Sequence, residues 1–194
     1  MTKTRTAFAV EAMIETGRDL ALAVFDDHVV AVRALHKLLA TGFKVSDLSF
    51  VGKGFCNRER VLGWADTGRG AKFWGVRRTL WQELWPLFGG GLILTTPETG
   101  PVFMMGKIAE IAEGTLDDGL IVGGMGALGA ALYSMGMPRD DAACCDDWAC
   151  GDRFILMVHG SALDTNLAMV NLETSRPQIR IAYCRLEPRL NLAA

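Results

Sequence analysis

The feature that most constrains this fold is a pattern of apolar run, helix and apolar run that occurs twice, once near each end of the 194-residue chain. The first copy opens with "DLALAVF" (19–25), which predicts a strand. Apolar residues at helical spacing follow over 29–39 and stop at Gly42, and "DLSFVG" (47–52) then predicts a second strand. This end of the chain is therefore expected to form a β-α-β unit.

The second copy lies in the last quarter of the chain. A strand is expected in "RFILMVHG" (153–160), and the alternating apolar residues of "QIRIAYC" (178–184) predict another. The segment "SALDTNLAMVNL" between them predicts a helix, which Ser161 and Asp164 open as a capping box. The same β-α-β unit is thus expected again.

Two such units predict an α/β fold, and the simplest closed arrangement is a ferredoxin-like α/β sandwich with its helices on one face of the sheet. We expect one domain with an insertion. Its predicted parts are an N-terminal extension (1–18), the first unit (19–52), a helical glycine-rich insertion (53–152) and the second unit (153–194).

The insertion is expected to contain three helices, with a sharp break at Pro97 and the Gly100-Pro101 pair. Its two flanks carry opposite charge. Residues 53–78 hold seven basic and two acidic side chains, whereas 139–152 hold one basic and five acidic. The flanks can therefore neutralise each other if the insertion folds back on itself.

Composition excludes some classes of function. The chain has 20 basic and 22 acidic residues, so no overall positive field favours nucleic acid, and none is expected as a partner. Its mean hydropathy of +0.21 lies between soluble domains and membrane proteins. Five cysteines without regular spacing are typical of reduced thiols, which favours the cytoplasm, and membrane association is the alternative.

The stretch "GLIVGGMGALGAALYSMGMP" (119–138) has no charge and six glycines. If it is helical, Gly119, Gly123, Gly126 and Ala130 lie along one face and let another backbone approach closely. Glycine costs a helix about 1 kcal/mol relative to alanine, so such a helix needs a packing partner. The partner is a protein surface or lipid, because twenty helical residues span roughly 30 Å.

Trp74, Trp81 and Trp85 recur at helical spacing and suit either a membrane interface or a buried helix face. The helix expected after the break carries Lys107, Glu110 and further acidic residues, which hydrocarbon would not tolerate. We therefore favour packing against protein, and a homo-oligomer interface in particular, over a membrane-spanning hairpin.

Long segments of the chain resemble a known family. The segments "LAVFDDHVVAV", "LWPLFGGGLILTTPETGPVFMMG", "GLIVGGMGALGAALYSMGMPRD" and "FILMVHGSA" are similar to the bacterial low-temperature-induced and general-stress-protein-like family. Its members share a domain of unknown function and are often described as membrane proteins. The resemblance implies a ferredoxin-like half-sheet with a glycine-rich insert and a stress-associated role, and it implies no catalytic residues. The charged "KIAEIAEGTLDD", Pro86 and Glu98 depart from the family pattern.

Four polar residues form a speculative site. Asp26, Asp27 and His28 follow the first strand, and His159 is near the end of its equivalent in the second unit. If these strands are neighbours, the two histidines could meet near carboxylates and serve a metal or acid–base chemistry. The alternative is structural, with an aspartate capping the helix and His159 packed before Gly160.

Two further patterns are weak. Cys144, Cys145 and Cys150 are soft ligand types, but their spacing does not suit zinc, and the neighbouring aspartates should raise the thiol pKa values. "GGMGALG" contains the pattern G-x-G-x-x-G at 124–129, which is typical of dinucleotide binding when it follows a strand. No strand is expected before it here, so dinucleotide binding is not favoured. We therefore expect no catalytic residues, metal or cofactor.

The expected function is that of a non-enzymatic, stress-associated protein that self-assembles through its glycine-rich insert. The alternative is a peripheral or integral membrane protein that uses the same insert as a lipid-contacting hairpin, with the basic segment facing anionic headgroups. A metal- or thiol-dependent enzyme is the least favoured.

Overall fold

The computed structural model describes residues 19–54, 77–96, 100–117, 124–184 and 186. The described chain contains six strands: β1 (Asp19–Phe25), β2 (Leu48–Lys53), β3 (Gly91–Thr96), β4 (Gly100–Gly106), β5 (Phe154–Gly160) and β6 (Ile179–Tyr183). It contains six α-helices: α1 (His28–Ala40), α2 (Arg78–Phe88), α3 (Lys107–Asp117), α4 (Ala127–Ser134), α5 (Arg139–Cys150) and α6 (Ala162–Glu173).

The six strands form one antiparallel sheet in the order β3-β4-β2-β5-β1-β6. Both predicted β-α-β units are present, as β1-α1-β2 and β5-α6-β6. Their strands interleave, because β5 pairs with both β1 and β2. The expected α/β class is confirmed.

Both faces of the sheet are covered by helices. On one face, alternate residues of the strands pack against α1, α2 and α6, as Phe50 and Phe154 do. On the other, residues such as Val51 and Ile155 pack against α3, α4 and α5. Every residue of β1 is buried for this reason. The helices of the two units, α1 and α6, lie on one face of the sheet, as expected. The segment between the units covers the other face, because the central strands carry apolar side chains on both faces.

The segment 53–152 is not the purely helical insertion that was predicted. It contributes the β3–β4 hairpin, which pairs with β2 and extends the sheet, together with α2 to α5. The helix α2 ends at Phe88, where Gly89 adopts a left-handed backbone with φ of 76°. The break predicted around Pro97 and Gly100 therefore separates two strands.

The glycine-rich stretch is also not one long helix. Only Ala127–Ser134 is α-helical among its described residues, and Gly124 and Gly136 have φ of 82° and 104°. A left-handed backbone at both positions interrupts a helix. Gly119 and Gly123 lie outside the described residues, as do Trp74, the extension 1–18 and most of the basic segment 53–78.

Candidate functional site

The structure does not bring His28 and His159 together. Strands β1 and β5 are neighbours but antiparallel, so Leu20 pairs with His159 at one end and Phe25 with Phe154 at the other. His28 follows β1 and lies against the Phe154 ring, with 5.9 Å between the ring centroids. The predicted juxtaposition required parallel strands and was wrong.

The two aspartates beside His28 have structural partners. Asp27 caps α1, since its Oδ1 accepts a hydrogen bond of 2.8 Å from the Val29 N–H. Asp26 pairs with Arg153 across 3.3 Å. The predicted alternative, an aspartate that caps the helix, is confirmed for Asp27.

His159 instead belongs to a buried polar cluster. Its Nε2 lies 2.8 Å from the Ser49 hydroxyl, and that oxygen accepts a hydrogen bond of 2.9 Å from the Ile108 N–H. A hydroxyl has one proton and two lone pairs, so Ser49 can accept from Ile108 and also share a hydrogen bond with Nε2. Both side chains are buried. The cluster joins β2 and β5 to the first turn of α3.

Two glycines of the apolar stretch, Gly126 and Gly129, pack against α5. A Cβ atom added at Gly129 would lie 2.2 Å from Asp146 Oδ2 and 3.0 Å from the Ala142 carbonyl oxygen. Asp146 accepts backbone hydrogen bonds from Gly126 and Gly129. Ala130 is buried. The small residues therefore admit a carboxylate and a neighbouring helix of the same chain.

The pKa of Asp146 is raised above its usual range, chiefly because the carboxyl is buried. The hydrogen bonds from Gly129 and Gly126 lower it, and nearby Asp147 raises it. Burial disfavours the charged form more than two backbone donors stabilise it. A carboxyl group of the same chain therefore occupies the start of α4.

The tryptophans Trp81 and Trp85 pack within the sheet face covered by α2. Both rings lie edge-on to Phe103, with centroid separations of 4.7 Å and 6.1 Å. Trp81 is completely buried and Trp85 nearly so. The interpretation of the tryptophan stripe as a buried helix face is confirmed for these two residues.

The cysteine group does not resemble a reactive thiol site. Burial, followed by the charges around Asp146, Cys144 and Asp141, raises the pKa of Cys145 to about 12. The nucleophilic thiolate is therefore scarce at neutral pH. The direction agrees with the prediction that neighbouring aspartates raise the thiol pKa. Within the described residues, no group of three or more histidine, cysteine or acidic side chains could hold a metal ion.

The opposite charges of the two insertion flanks meet at one described pair. Arg77 donates two hydrogen bonds to the Asp152 carboxylate, of 2.5 Å and 2.9 Å. Its guanidinium also lies 4.7 Å above the Phe154 ring. A bidentate pair with a stacked arginine fixes the flank against β5.

Three of the exposed large apolar side chains in the described part of the chain lie together on α6, where no site was predicted. Leu163, Leu167 and Val170 are 77%, 49% and 64% exposed. The opposite face of the helix carries Thr165, Ala168 and Leu172, which are buried against the sheet. We call the three exposed residues the α6 seam, because their spacing of four and three is that of a coiled-coil seam.

A cavity of about 690 Å³ opens between α1 and the residues that follow α6. It is lined by Val30, Arg33, His36, Lys37, Thr174, Ser175 and Arg176. Three of these side chains are permanently basic and none is acidic, although the whole chain has a net charge of −2. We call this the α1–α6 cavity.

Comparison with protein-family models, curated proteins and solved structures gave no significant match. The resemblance to the general-stress-protein-like family stays a prediction. Over the described ranges, every helix is too short or too polar to cross a lipid bilayer.

Sequence reasoning missed both surface features for different reasons. The seam was visible in "ALDTNLAMVNLE", since apolar residues occur all around that helix and one sheet face can bury only some of them. The cavity joins residues 30–37 to residues 174–176, and nothing in the sequence indicates that these segments meet.

Proposed function

We propose that this is a non-enzymatic α/β protein that self-assembles, and that two copies associate through the α6 seam. The observation that carries this proposal is the exposure of Leu163, Leu167 and Val170 on one helix face. An apolar strip of this kind on a water-facing helix is characteristic of an interaction surface. Burying it against a partner removes that apolar area from water, which drives association.

The seam is self-complementary in an antiparallel pair of α6 helices. If the two-fold axis passes at Leu167, that residue meets its equivalent in the second copy, and Leu163 meets the second copy's Val170. Each leucine then packs against an apolar side chain, as the a and d residues of a coiled coil do. Isologous pairing of this kind is the commonest symmetry of soluble oligomers.

The charges on α6 support a second copy rather than anionic lipid as the occupant. The helix contains no lysine or arginine, and its charged residues are Asp164 and Glu173. Interfacial membrane helices carry basic residues beside their apolar face, whereas acidic ones are repelled by anionic headgroups. In the antiparallel pair, Asp164 instead lies opposite the second copy's Asn171, whose amide can donate to it.

This proposal keeps the self-assembly expected from the sequence but moves its surface. Of the predicted helix-packing residues, Gly126 contacts Asp146 on α5 of the same chain, and Ala130 is buried within that chain. The stress-associated role has only the sequence resemblance behind it. The strand order β2-β5-β1-β6 supports the proposal that the two units form a ferredoxin-like half, to which the hairpin and a second helix layer are added.

The experiment compares two glutamate substitutions by size-exclusion chromatography with multi-angle light scattering. We expect a wild-type dimer at micromolar concentration and a monomer for Leu167→Glu, because a charge in the seam centre cannot be buried unpaired. The matched control is Val29→Glu on α1, since Val29 is 48% exposed and lies outside the seam. That variant should remain dimeric.

A monomeric wild type, or a dimer that survives Leu167→Glu, contradicts the proposal. Flotation of the wild type with anionic vesicles, abolished by Leu167→Glu, would contradict it too and assign the seam to lipid. Circular dichroism of both variants checks that each is folded. Both substituted positions are exposed, so neither substitution is expected to unfold the protein.

A further inference from the structure

The α1–α6 cavity concentrates positive charge, and no acidic residue is among those that line it. Arg33, Lys37 and Arg176 all line it. Within the described residues, neither the Arg33 nor the Arg176 guanidinium has a hydrogen bond or an ion pair. By contrast, Arg77 and Arg153 each pair with an aspartate. The two cavity arginines are therefore available to a ligand.

Lys37 is held in place by neutral groups. Its ammonium donates to the Asn171 carbonyl oxygen at 3.2 Å and to the Thr174 hydroxyl. An ammonium has three N–H donors, so one remains for a ligand. These contacts orient the lysine without neutralising its charge. The cavity thus presents a positioned cation beside two guanidinium groups.

Arg176 is placed by an uncommon backbone conformation. Its φ is 50°, in the left-handed region, and its N–H donates to the Glu173 carbonyl oxygen at 3.1 Å. Residues other than glycine seldom adopt this conformation. The turn after α6 thereby directs the chain at Ser175 and Arg176 along the cavity wall.

We propose that the α1–α6 cavity binds the phosphate group of a phosphorylated compound that also carries an apolar part. The planar guanidinium groups match the geometry of phosphate oxygens, and a phosphomonoester dianion satisfies more of the three positive charges than a carboxylate does. The cavity volume of about 690 Å³ is within the range of small-molecule sites and larger than phosphate alone requires. Val30 and the arginine and lysine stems provide its apolar wall.

The hydroxyl-bearing residues complete the site. Thr174 and Ser175 line the same wall as Arg176. The Thr174 hydroxyl donates to the Asn171 carbonyl oxygen, whereas the Ser175 hydroxyl can donate a hydrogen bond to a phosphate oxygen. His36 lies on the opposite wall, where its Nε2 is 3.2 Å from Glu83 Oε1. That contact occupies one ring nitrogen, so the arginines and the lysine carry the site.

The test is calorimetric titration of the full-length protein with inorganic phosphate, phenyl phosphate and benzoate. We expect one site per chain, with phenyl phosphate bound more tightly than phosphate and benzoate bound least. The cavity variant is Arg33→Gln with Arg176→Asn, because asparagine tolerates the left-handed backbone. Its affinity for phenyl phosphate should fall by about tenfold for each guanidinium removed.

The matched control is Lys44→Gln with Arg78→Gln, which removes two exposed positive charges outside the cavity. It should bind phenyl phosphate as the wild type does. Absence of phosphate binding, equal affinity for benzoate, or a cavity variant with wild-type affinity would overturn the proposal. Thermal unfolding of each variant identifies loss of folding.

Two sources of the phosphate are distinguished by flotation with vesicles of phosphatidylcholine and phosphatidic acid. Flotation that phenyl phosphate competes away assigns the site to a lipid headgroup, and calorimetric binding without flotation assigns it to a soluble compound. Either result supports the phosphate site. The proposed dimer is tested separately, because Leu167→Glu leaves the cavity residues intact and should keep the affinity for phenyl phosphate.

Discussion

Asp146 Oδ2 accepts a hydrogen bond of 2.7 Å from the backbone N–H of Gly126, the residue before α4 begins. Gly124, Gly126 and Gly129 form the G-x-G-x-x-G pattern, and the last two contact the Asp146 carboxylate. In dinucleotide-binding folds, that position at a helix N-terminus holds a phosphate. Here a carboxylate of the same chain occupies it, so the glycines serve internal packing between α4 and α5.

Gly129→Ala should destabilise the protein by about 2 kcal/mol, because its methyl group would overlap Asp146 Oδ2 and displace the carboxylate from its donors. The control is Gly114→Ala in α3, where an added Cβ meets nothing within 4 Å. Alanine there should stabilise the fold by up to about 1 kcal/mol. Urea unfolding measures both changes. Equal effects of the two substitutions would contradict the packing role of Gly129.

Asp146→Asn should change how stability depends on pH. The pKa of Asp146 is raised in the folded protein from an ordinary value of 3.8, so this carboxyl favours folding most when protonated. Its contribution is complete below pH 3.8 and is lost as the pH rises through the folded pKa. The free energy of unfolding of the wild type should therefore fall relative to that of Asp146→Asn as the pH rises toward neutrality. Parallel pH profiles would contradict this.

Asp164→Asn should change the pH dependence of stability in the opposite direction. Hydrogen bonds with the Ser161 hydroxyl and N–H lower the pKa of Asp164. Its stabilising contribution is present above the ordinary pKa of 3.8 and is lost as the pH falls through the lowered value. In the same urea titrations, the free energy of unfolding of the wild type should therefore rise relative to that of Asp164→Asn as the pH rises in the acidic range. If the wild type instead became more stable relative to Asp164→Asn as the pH fell, this would contradict the capping box at α6.

Single cysteines in the α6 seam should report the orientation of the proposed dimer. In an antiparallel pair, Leu167→Cys lies at the two-fold axis and should form a disulfide with its equivalent, whereas Leu163→Cys should not. Both are made in a background without Cys56 and without the exposed Cys144 and Cys184. Non-reducing electrophoresis after mild oxidation measures the cross-link. Efficient cross-linking through position 163 would indicate a parallel pair instead.

Ser49→Ala should cost about 1 to 3 kcal/mol, because it removes the partner of His159 Nε2 and the acceptor of the Ile108 N–H in a buried place. Ser46→Ala is the control, since among the described residues that exposed hydroxyl has one weak contact, to Asp47 at 3.5 Å. Its effect should stay within about 0.5 kcal/mol. Chemical denaturation compares the two. A neutral Ser49→Ala would show that the cluster does not stabilise the junction of β2, β5 and α3.

Local patterns predicted the regular elements of both β-α-β units closely. "DLALAVF" is β1 from its first to its last residue, and the capping box of Ser161 and Asp164 opens α6. These elements depend on periodicity and on caps a few residues away, which a sequence displays directly. The segment that forms the β3–β4 hairpin was predicted to be helical, although three consecutive glycines and β-branched residues such as Ile93 are typical of a turn and a strand.

The sites depended on contacts between distant segments. The antiparallel pairing of β1 with β5 separates His28 from His159, and it brings His159 beside β2 instead. The α1–α6 cavity likewise joins Arg33 to Arg176. Residue types at these positions do not indicate which of them will be neighbours.

The sequence by itself determined the α/β class and the two repeated units, because apolar periodicity and capping residues act locally. The tertiary structure decided that helices cover both sheet faces, that Asp146 fills the glycine-rich turn and that the α6 seam stays exposed. The physical reason is that strand pairing selects which side chains meet and which apolar faces are left without a partner.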